Sequence, residues 1–444
     1  MLERLTRLKP RKTRSDRDRA LRFIVSSAHA SVPYYRDAFS SASVDPRDVL
    51  RLEDLAALPI TYRQDLLSSG ARRFLRAGSD LSSLVVAQTT GTSGTPLAVY
   101  MSRSEALFRK AAVLDSYRRN TKIALPISIA DVGTERKTRT PDLVQRLGLV
   151  RVHRLFRGMP LPEQIDRLLD AAPTLVQGRP STLWELARGL ADRGIRSVRP
   201  RIVVSFGEIL FPTVRELLAE VFGCRVVDSY NCEEVGNIAW ECPADRSRMH
   251  PNPATAVVEV VDRQGNPLPP GREGHVLLTN LYNRTMPLIR YYLGDRAVLL
   301  KSGVCSCGFA GPAMRLVEGR DDDFLVLPDG REIPPRVAYE VIRGALPDER
   351  IGHELIQAIE SFQIVQEAID LIEIRVVPGP AYSRDLWSTL PERVRALHPA
   401  MRVCIHEVDI LHLQSEGKFR KVSSKVDSRW KQERRSSGLG QADG

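Results

Sequence analysis

Between residues 161 and 231 the sequence switches repeatedly between helical and strand periodicity, and this alternation constrains the fold more than any other feature. Leu161–Ala172 carries Ile165, Leu168 and Leu169 at helical spacing, with Pro162 near its start. Thr174–Gln177 is a short apolar run that stops at Gly178. Ser181–Arg193 reads as a second helix, with Ser181 as N-cap and Gly194 as stop. Arg201–Ser205 is β-branched and strand-like, Pro212–Phe222 is a third helix ended by Gly223, and Cys224–Asp228 is another strand. This order predicts parallel β/α units. In such sheets ligands gather beyond the carboxyl ends of the strands. Those ends are Gly178-Arg179, Phe206-Gly207-Glu208 and Ser229-Tyr230-Asn231.

The flanks differ. The first 80 or so residues read as helical, with breaks at Pro33, Pro46 and Pro59. From about Thr255, AVVEVVD, the turn QGNPLPPG and EGHVLLTNL alternate as a β-hairpin. After Gly319-Arg320-Asp321-Asp322-Asp323 the pattern shifts again. Phe324–Leu327 and Arg331–Ile333 flank the turn Pro328-Asp329-Gly330, and Val337–Leu346 reads as helix. Phe362–Gln366 and Leu371–Val377 read as strands, Asp385–His398 as helix and Arg402–Ile410 as strand. The expectation is an α/β protein with a helical segment over 1–80 and a large domain over 81–319. That domain has a parallel sheet and a β-subdomain around 255–318. A hinge at 320–323 leads to a small α+β domain over 324–430 and a tail over 431–444.

Sixty-five Lys and Arg against 54 Asp and Glu give a net charge of +11. Much of the excess lies in Arg4–Arg22 and Lys418–Arg435, read as solvated ends. Basic runs interleaved with aromatic residues are missing, so no nucleic-acid partner is expected. No apolar run approaches the ~18 residues of a membrane span. The first residues lack an apolar secretory core, which points to the cytoplasm. Six cysteines are too few for a disulfide scaffold. Four residues nevertheless form a constellation: Cys242 and His250 flank one loop, and Cys305-Ser306-Cys307-Gly308 makes a compact turn. Both pairs flank the predicted β-subdomain, whose hairpin could bring them together. Three sulfurs and an imidazole suffice for a closed, structural Zn²⁺ site.

Residues 85–100 read VVAQTTGTSGTPLAVY. A strand enters Thr89-Thr90-Gly91-Thr92-Ser93-Gly94-Thr95-Pro96 and a second strand leaves it. Glycines let successive backbone N–H groups converge and hydroxyls add donors, which makes an anion-binding nest. It lacks the Gly-Lys-Ser/Thr of a Walker loop.

This loop resembles the phosphate loop of the adenylate-forming superfamily, which contains acyl-CoA synthetases, amino-acid adenylation domains and luciferases. Further blocks follow in order. Tyr230-Asn231-Cys232-Glu233-Glu234 stands where the family has Tyr-Gly-x-Thr-Glu, and Tyr291-Tyr292-Leu293-Gly294-Asp295 resembles Tyr-x-x-Gly-Asp. Gly319-Arg320-Asp321-Asp322 matches Gly-Arg-x-Asp, and Gly417-Lys418 matches the block of the late lysine. VPYYRDAF, AWEC, LYNRTMPLIRYYLGD and CSCG are most similar to the phenylacetate-CoA ligase and CapK-like branch.

The resemblance implies an AMP-forming ligase. A carboxylate attacks the α-phosphate of ATP, expels pyrophosphate, and the acyl-adenylate passes to an acceptor, for which coenzyme A leads. It also implies roles. Thr89, Thr90, Gly91, Thr92, Ser93 and Gly94 would hold the outer phosphates, and Glu234 would help hold Mg²⁺. Gly207, Glu208 and Tyr230 would line the adenine. Asp295 would bond the ribose hydroxyls, and Arg320 would reach the nucleotide. Lys418 would bridge carboxylate and α-phosphate, and Asp322 would mark the hinge about which the small domain turns. The acid is a small molecule, aryl by resemblance alone. An amine, hydroxyl or carrier-thiol acceptor stays open, as does a catalytically silent nucleotide-binding relative, and a homodimer is one option for assembly. The chain departs from the family at Thr95, where many relatives have lysine, and at Asn231, Glu233 and Tyr292. A second carboxylate at Glu233 could bind metal or repel phosphate.

Overall fold

The structure is a computed structural model and describes residues 14–88, 97–133, 143–301, 303–320, 323–344, 359–411 and 421–426. Its internal packing separates two compact units. One holds the described residues through Leu293 together with Ala297–Leu316; the other holds Gly294–Arg296 and the described residues from Val317 onward.

In the first unit, β1 (Val85–Gln88) and β2 (Ala98–Met101) form a two-stranded antiparallel ladder. Next come β3 (Ile127–Gly133), β4 (Val150–Phe156), β5 (Leu175–Gly178), β6 (Ile202–Phe206) and β7 (Arg225–Cys232). They pair in parallel, in the order β4-β3-β5-β6-β7. The direction then reverses. β8 (Gly236–Glu241) pairs antiparallel with β7, and β9 (Met249–Pro251) antiparallel with β8. The later strands are β10 (Ala256–Val261), β11 (Glu273–Asn280), β12 (Tyr291–Leu299), the short hairpin β13 (Gly303–Val304) and β14 (Ala310–Gly311), and β15 (Met314–Arg320). One eleven-stranded sheet results, ordered β10-β11-β12-β15-β9-β8-β7-β6-β5-β3-β4. The expected hairpin near 255 is β10–β11, and it extends the main sheet.

Local chemistry explains the helices between the parallel strands. Leu161–Ala171 buries Ile165 and Leu168, whereas Leu169 faces outward at 37% exposure. Pro212–Phe222 ends at Gly223, whose φ of 63° suits the left-handed cap. The helix expected from Ser181 runs Pro180–Asp192, with Arg179 as N-cap. Pro180 takes the first helical position because its fixed φ fits there and its missing N–H costs nothing, which moves Ser181 inside the helix. Gly178, the last residue of β5, is a position that glycine fills because a Cβ there would lie 2.6 Å from the Val132 carbonyl oxygen of β3.

Two N-terminal helices, Arg14–Ser31 and Pro33–Ser41, pack on this sheet, Pro33 starting the second. Tyr35 is buried, and its hydroxyl accepts the Ile289 N–H at 2.9 Å. The early VPYYRDAF block thus meets the PLIRYY block. Arg290 is buried there, donating to the carbonyls of Leu58 (2.7 Å) and Gly265 (2.6 Å) and lying 3.2 Å from Glu259.

The second unit holds the hairpin β16 (Leu325–Val326) and β17 (Glu332–Ile333), then β18 (Ile359–Ala368), β19 (Leu371–Pro378), β20 (Arg402–Glu407) and β21 (Val422–Ser424). The last four form a mixed sheet in the order β20-β19-β18-β21. The helix Pro335–Arg343 lays Tyr339 over Phe362, ring centres 5.6 Å apart and ring planes nearly parallel. The buried Gln366 amide exchanges two hydrogen bonds with the Val326 backbone, at 2.9 and 2.6 Å, so the hairpin is tied to the sheet. Asp385–His398, expected as one helix, divides into a 3₁₀ turn, Arg384–Trp387, and a helix, Leu390–Leu397. Trp387 is buried among the sheet's apolar residues, and Pro391 restarts the chain at a first-turn position. No helix among the described residues is long and apolar enough to cross a membrane.

Candidate active site

The carboxyl ends of the parallel strands carry a connected set of polar groups. On β3 and β5, Gln177 donates to Asp131 at 2.9 Å and accepts from the Tyr117 hydroxyl at 3.2 Å. Burial, and then the Asp131 charge, push the Tyr117 phenol well above its ordinary pKa. Gly207 follows β6 with φ 81°, a conformation that L side chains rarely adopt. Glu208 accepts from the Ser181 N–H and from the Ser181 hydroxyl, each at 3.1 Å. It therefore places a carboxylate on the N-terminal turn of Pro180–Asp192, where the helix dipole favours negative charge.

β6 and β7 pair Phe206 with Ser229, so Gly207 and Tyr230 follow on neighbouring strands. Ser229, Tyr230 and Asn231, expected just beyond a strand ending at Asp228, lie within β7. Pairing with β8 prolongs β7 to Cys232, with a register shift between Tyr230 and Asn231. At that irregularity Asn231 Oδ1 accepts from the Ser229 hydroxyl (3.2 Å) and from the Asn237 amide (2.9 Å). Asn237 is fully buried, and its side-chain oxygen Oδ1 accepts from the Asn252 side-chain amide at 2.8 Å.

The β7–β8 turn presents two adjacent carboxylates in different settings. Glu233 is paired with Arg109: Nη2 lies 2.8 Å from the carboxylate and Nη1 donates to the Glu233 carbonyl at 2.7 Å. Arg109 stands on the helix Arg103–Arg118 and is mostly buried, so the second negative charge is neutralised by the protein. Glu234 is 8% exposed; the Tyr291 hydroxyl donates to Oε1 at 3.2 Å, and no other described residue bonds this carboxylate. A nearly buried carboxylate suits Mg²⁺, a hard cation that takes oxygen ligands and keeps company with phosphates.

Arg109 was not singled out in the sequence. Its helix does carry a local signal, the capping box Ser102-x-x-Glu105, in which Glu105 N–H donates to Ser102 Oγ and Ser102 N–H to Glu105 Oε2. The partner at Glu233 lies far along the chain and leaves no local signal.

Asp295 and Arg320 belong to the second unit; Asp295 stands within β12, one residue after Gly294 at φ 81°, and Arg320 ends β15. Arg296 beside Asp295 is ion-paired with Glu332 at 2.6 Å and stacks on Phe324. Thr89, Thr90, Gly91, Thr92, Ser93, Gly94, Asp322 and Lys418 lie outside the described residues. β1 and β2 flank the first six, with Gln88 paired to Ala98.

The four metal-ligand candidates do converge. One ligand atom from each of Cys242, His250, Cys305 and Cys307 lies within 4.8 Å of all the others.

No protein-family model matches the chain. It is 26% identical to phenylacetate-coenzyme A ligase of Thermus thermophilus over 397 residues, 87% of this chain and 85% of that one. Over 169 residues it is 25% identical to protein CapK of Staphylococcus aureus, 38% of this chain and 36% of that one. A solved 2-hydroxyisobutyryl-CoA ligase in its postadenylation state shares the fold, with TM-score 0.72 at 20% identity, covering 97% of this chain and 92% of that one. Over most of its length the chain is thus similar to phenylacetate-coenzyme A ligases, over a shorter stretch to protein CapK, and it shares the fold of an acyl-CoA ligase, with the blocks at Tyr230–Glu234, Tyr291–Asp295 and Gly319–Asp322 carrying the same resemblance.

Proposed function

We propose that this protein is an AMP-forming carboxylic acid–CoA ligase, which adenylates an aryl acid with ATP and passes the acyl group to coenzyme A. The observation that carries this reading is the continuous likeness to phenylacetate-coenzyme A ligases, 26% identical across 87% of the chain in one case and 23% across 73% in another. Placement of Glu234 and neutralisation of Glu233 by Arg109 support it, because they leave one carboxylate rather than two facing a triphosphate and its metal.

In this reading Thr89–Gly94 holds the outer phosphates, Glu234 binds Mg²⁺, and Gly207, Glu208 and Tyr230 border the adenine. Asp295 and Arg320 hold ribose and nucleotide. Lys418 offsets the repulsion between the attacking carboxylate and the α-phosphate. The protein's task is to position and neutralise, since charge moves onto the bridging oxygen as pyrophosphate leaves. Bound Mg²⁺ would spread the charge of the leaving pyrophosphate.

The test is pyrophosphate release from ATP with a panel of aryl and short aliphatic acids, first without and then with coenzyme A. The expected result is acid-dependent release and an acyl-CoA product, with aryl acids preferred. Release without thioester would reassign the acceptor to an amine, hydroxyl or carrier thiol. No release with any acid would return the chain to a silent nucleotide-binding relative.

A further inference from the structure

Cys242 follows directly on β8, His250 is the middle residue of β9, and Cys305 and Cys307 sit in the turn between β13 and β14. All four belong to the first unit. Cys242 Sγ and Cys305 Sγ are 3.5 Å apart, and Cys307 Sγ lies 3.3 Å from His250 Nε2. Ligands about 2.0–2.3 Å from one tetrahedral ion are about 3.3–3.8 Å from each other. The observed separations match that edge length, on a chain whose six cysteines are all unbridged.

The surroundings are those of a metal site as well. His250 Nδ1 lies 3.3 Å from the Pro312 carbonyl oxygen, which fixes the N–H on Nδ1 and turns the Nε2 lone pair towards the sulfurs. The Ala244 N–H donates to Cys242 Sγ at 3.4 Å, a bond that favours thiolate. Arg225 donates to the Cys242 carbonyl at 3.0 Å and holds that end of β8 in place. Trp240 and Phe309 pack against the His250 ring, at 5.9 and 4.7 Å between centres, and exclude water from that side. Gly308, at φ 83°, lets the turn double back so that both of its cysteines face the same point.

We propose that Cys242, His250, Cys305 and Cys307 bind one Zn²⁺ in a closed, structural S₃N site. The ion fastens the β13–β14 turn to the end of the β8 strand. β8 pairs with β7, whose turn carries Glu233 and Glu234, so the ion anchors the far end of the hairpin that presents them. Soft thiolates and imidazole favour Zn²⁺ over the Mg²⁺ of nucleotide sites. Four protein ligands complete a tetrahedron and leave no position for a reacting group.

The test needs no ligase activity and so stands apart from the functional reading. The full chain, purified without chelator, is assayed for metal by elemental analysis, alongside Cys307→Ser, His250→Gln and, as control, Cys404→Ser. The expected result is about one Zn²⁺ per chain for wild type and Cys404→Ser, and background for the two ligand variants. Should those variants fail to fold, Co²⁺ exchanged into the wild-type chain should give the intense visible bands of tetrahedral thiolate cobalt. A wild-type chain without bound metal after refolding with Zn²⁺, octahedral-type weak Co²⁺ bands, or a Cys242–Cys305 disulfide found by mass spectrometry under non-reducing conditions would each overturn the proposal.

Discussion

Arg109 grips Glu233 twice, through its carboxylate at 2.8 Å and through its own backbone carbonyl at 2.7 Å. A turn residue that departs from the superfamily pattern the chain resembles is therefore matched by a cation supplied from the helix Arg103–Arg118. If that pairing is what makes a second carboxylate tolerable beside ATP, Arg109→Ala should raise the KM for ATP by about tenfold or more, roughly 1.4 kcal/mol. Glu233→Gln in the same chain should restore part of the loss. A double-mutant cycle on pyrophosphate release checks this, and the coupling expected for residues in contact is about 0.5–3 kcal/mol. Additive effects would mean that the two act separately.

Glu105 links the start of the helix Arg103–Arg118 to the segment before Met286. Burial alone would raise its pKa, but bonds from the Thr285 hydroxyl (2.6 Å), the Ser102 N–H (2.7 Å) and the Arg284 N–H (2.7 Å) outweigh it and hold the carboxyl below its usual 4.5. A carboxylate with a depressed folded pKa stabilises the fold above its unfolded pKa, and that contribution is lost as pH falls through the folded value. Glu105→Gln should cost about 1–3 kcal/mol at pH 7 by leaving donors unpaired, and the gap from wild type should narrow below about pH 4.5. Urea unfolding at both pH values measures it. A gap independent of pH would show that shape rather than charge holds this junction.

For Lys418 the two half-reactions should separate. Lys418→Ala should slow pyrophosphate release by about 10²–10³, roughly 3–4 kcal/mol of lost electrostatic stabilisation. Transfer from a supplied acyl-adenylate should change by about tenfold or less, since the adenylate is already activated. The control must be chosen from the structure. Lys421 reads as one more lysine in a basic run, yet its ammonium sits 4.6 Å from the Phe362 ring centre and 5.1 Å from that of Tyr339, so removing it should cost about 0.5–2 kcal/mol of stability. Lys425, whose side chain is 61% exposed, pairs among the described residues with Glu367 at 2.6 Å and is the better control, because such solvent-exposed pairs contribute little. Equal losses in both half-reactions would assign Lys418 to folding or acceptor binding.

The parts of this fold legible in sequence are those specified locally. The helices and strands from Leu161 to Asp228 follow from apolar spacing, Gly223 and Gly194, which act within a few residues. Strand ends set by a neighbour were not legible: β7 runs on to Cys232 because β8 returns beside it, and nothing in Tyr230-Asn231 announces that pairing. The N-cap falls at Arg179, two positions before the expected Ser181, because Pro180 takes the helix start, and the Ser181 hydroxyl then serves Glu208 instead of a cap. β21 was hidden in basic composition, since its pairing with β18 depends on Ile364 and Gln366, far back in the chain. Arg109 was missed for the same reason. The cysteine and histidine pairs were visible because a pattern of ligand types survives without knowledge of the path between them.

The reversal of strand direction after β7 also sets an order in time. On the antiparallel side, β7 reaches β8 across the few residues between Cys232 and Gly236, and β10 reaches β11 between Val261 and Glu273. On the parallel side each step must wait for a crossover, such as the stretch from Gly178 to Ile202 that carries a whole helix. Short closures cost less chain entropy before they are rewarded by contacts. During refolding, amides of β8, β10 and β11 should therefore gain protection before those of β3, β5 and β6. Pulse-labelled hydrogen exchange would read this directly, and the opposite order would mean that collapse onto the inter-strand helices, not loop length, governs how this sheet assembles.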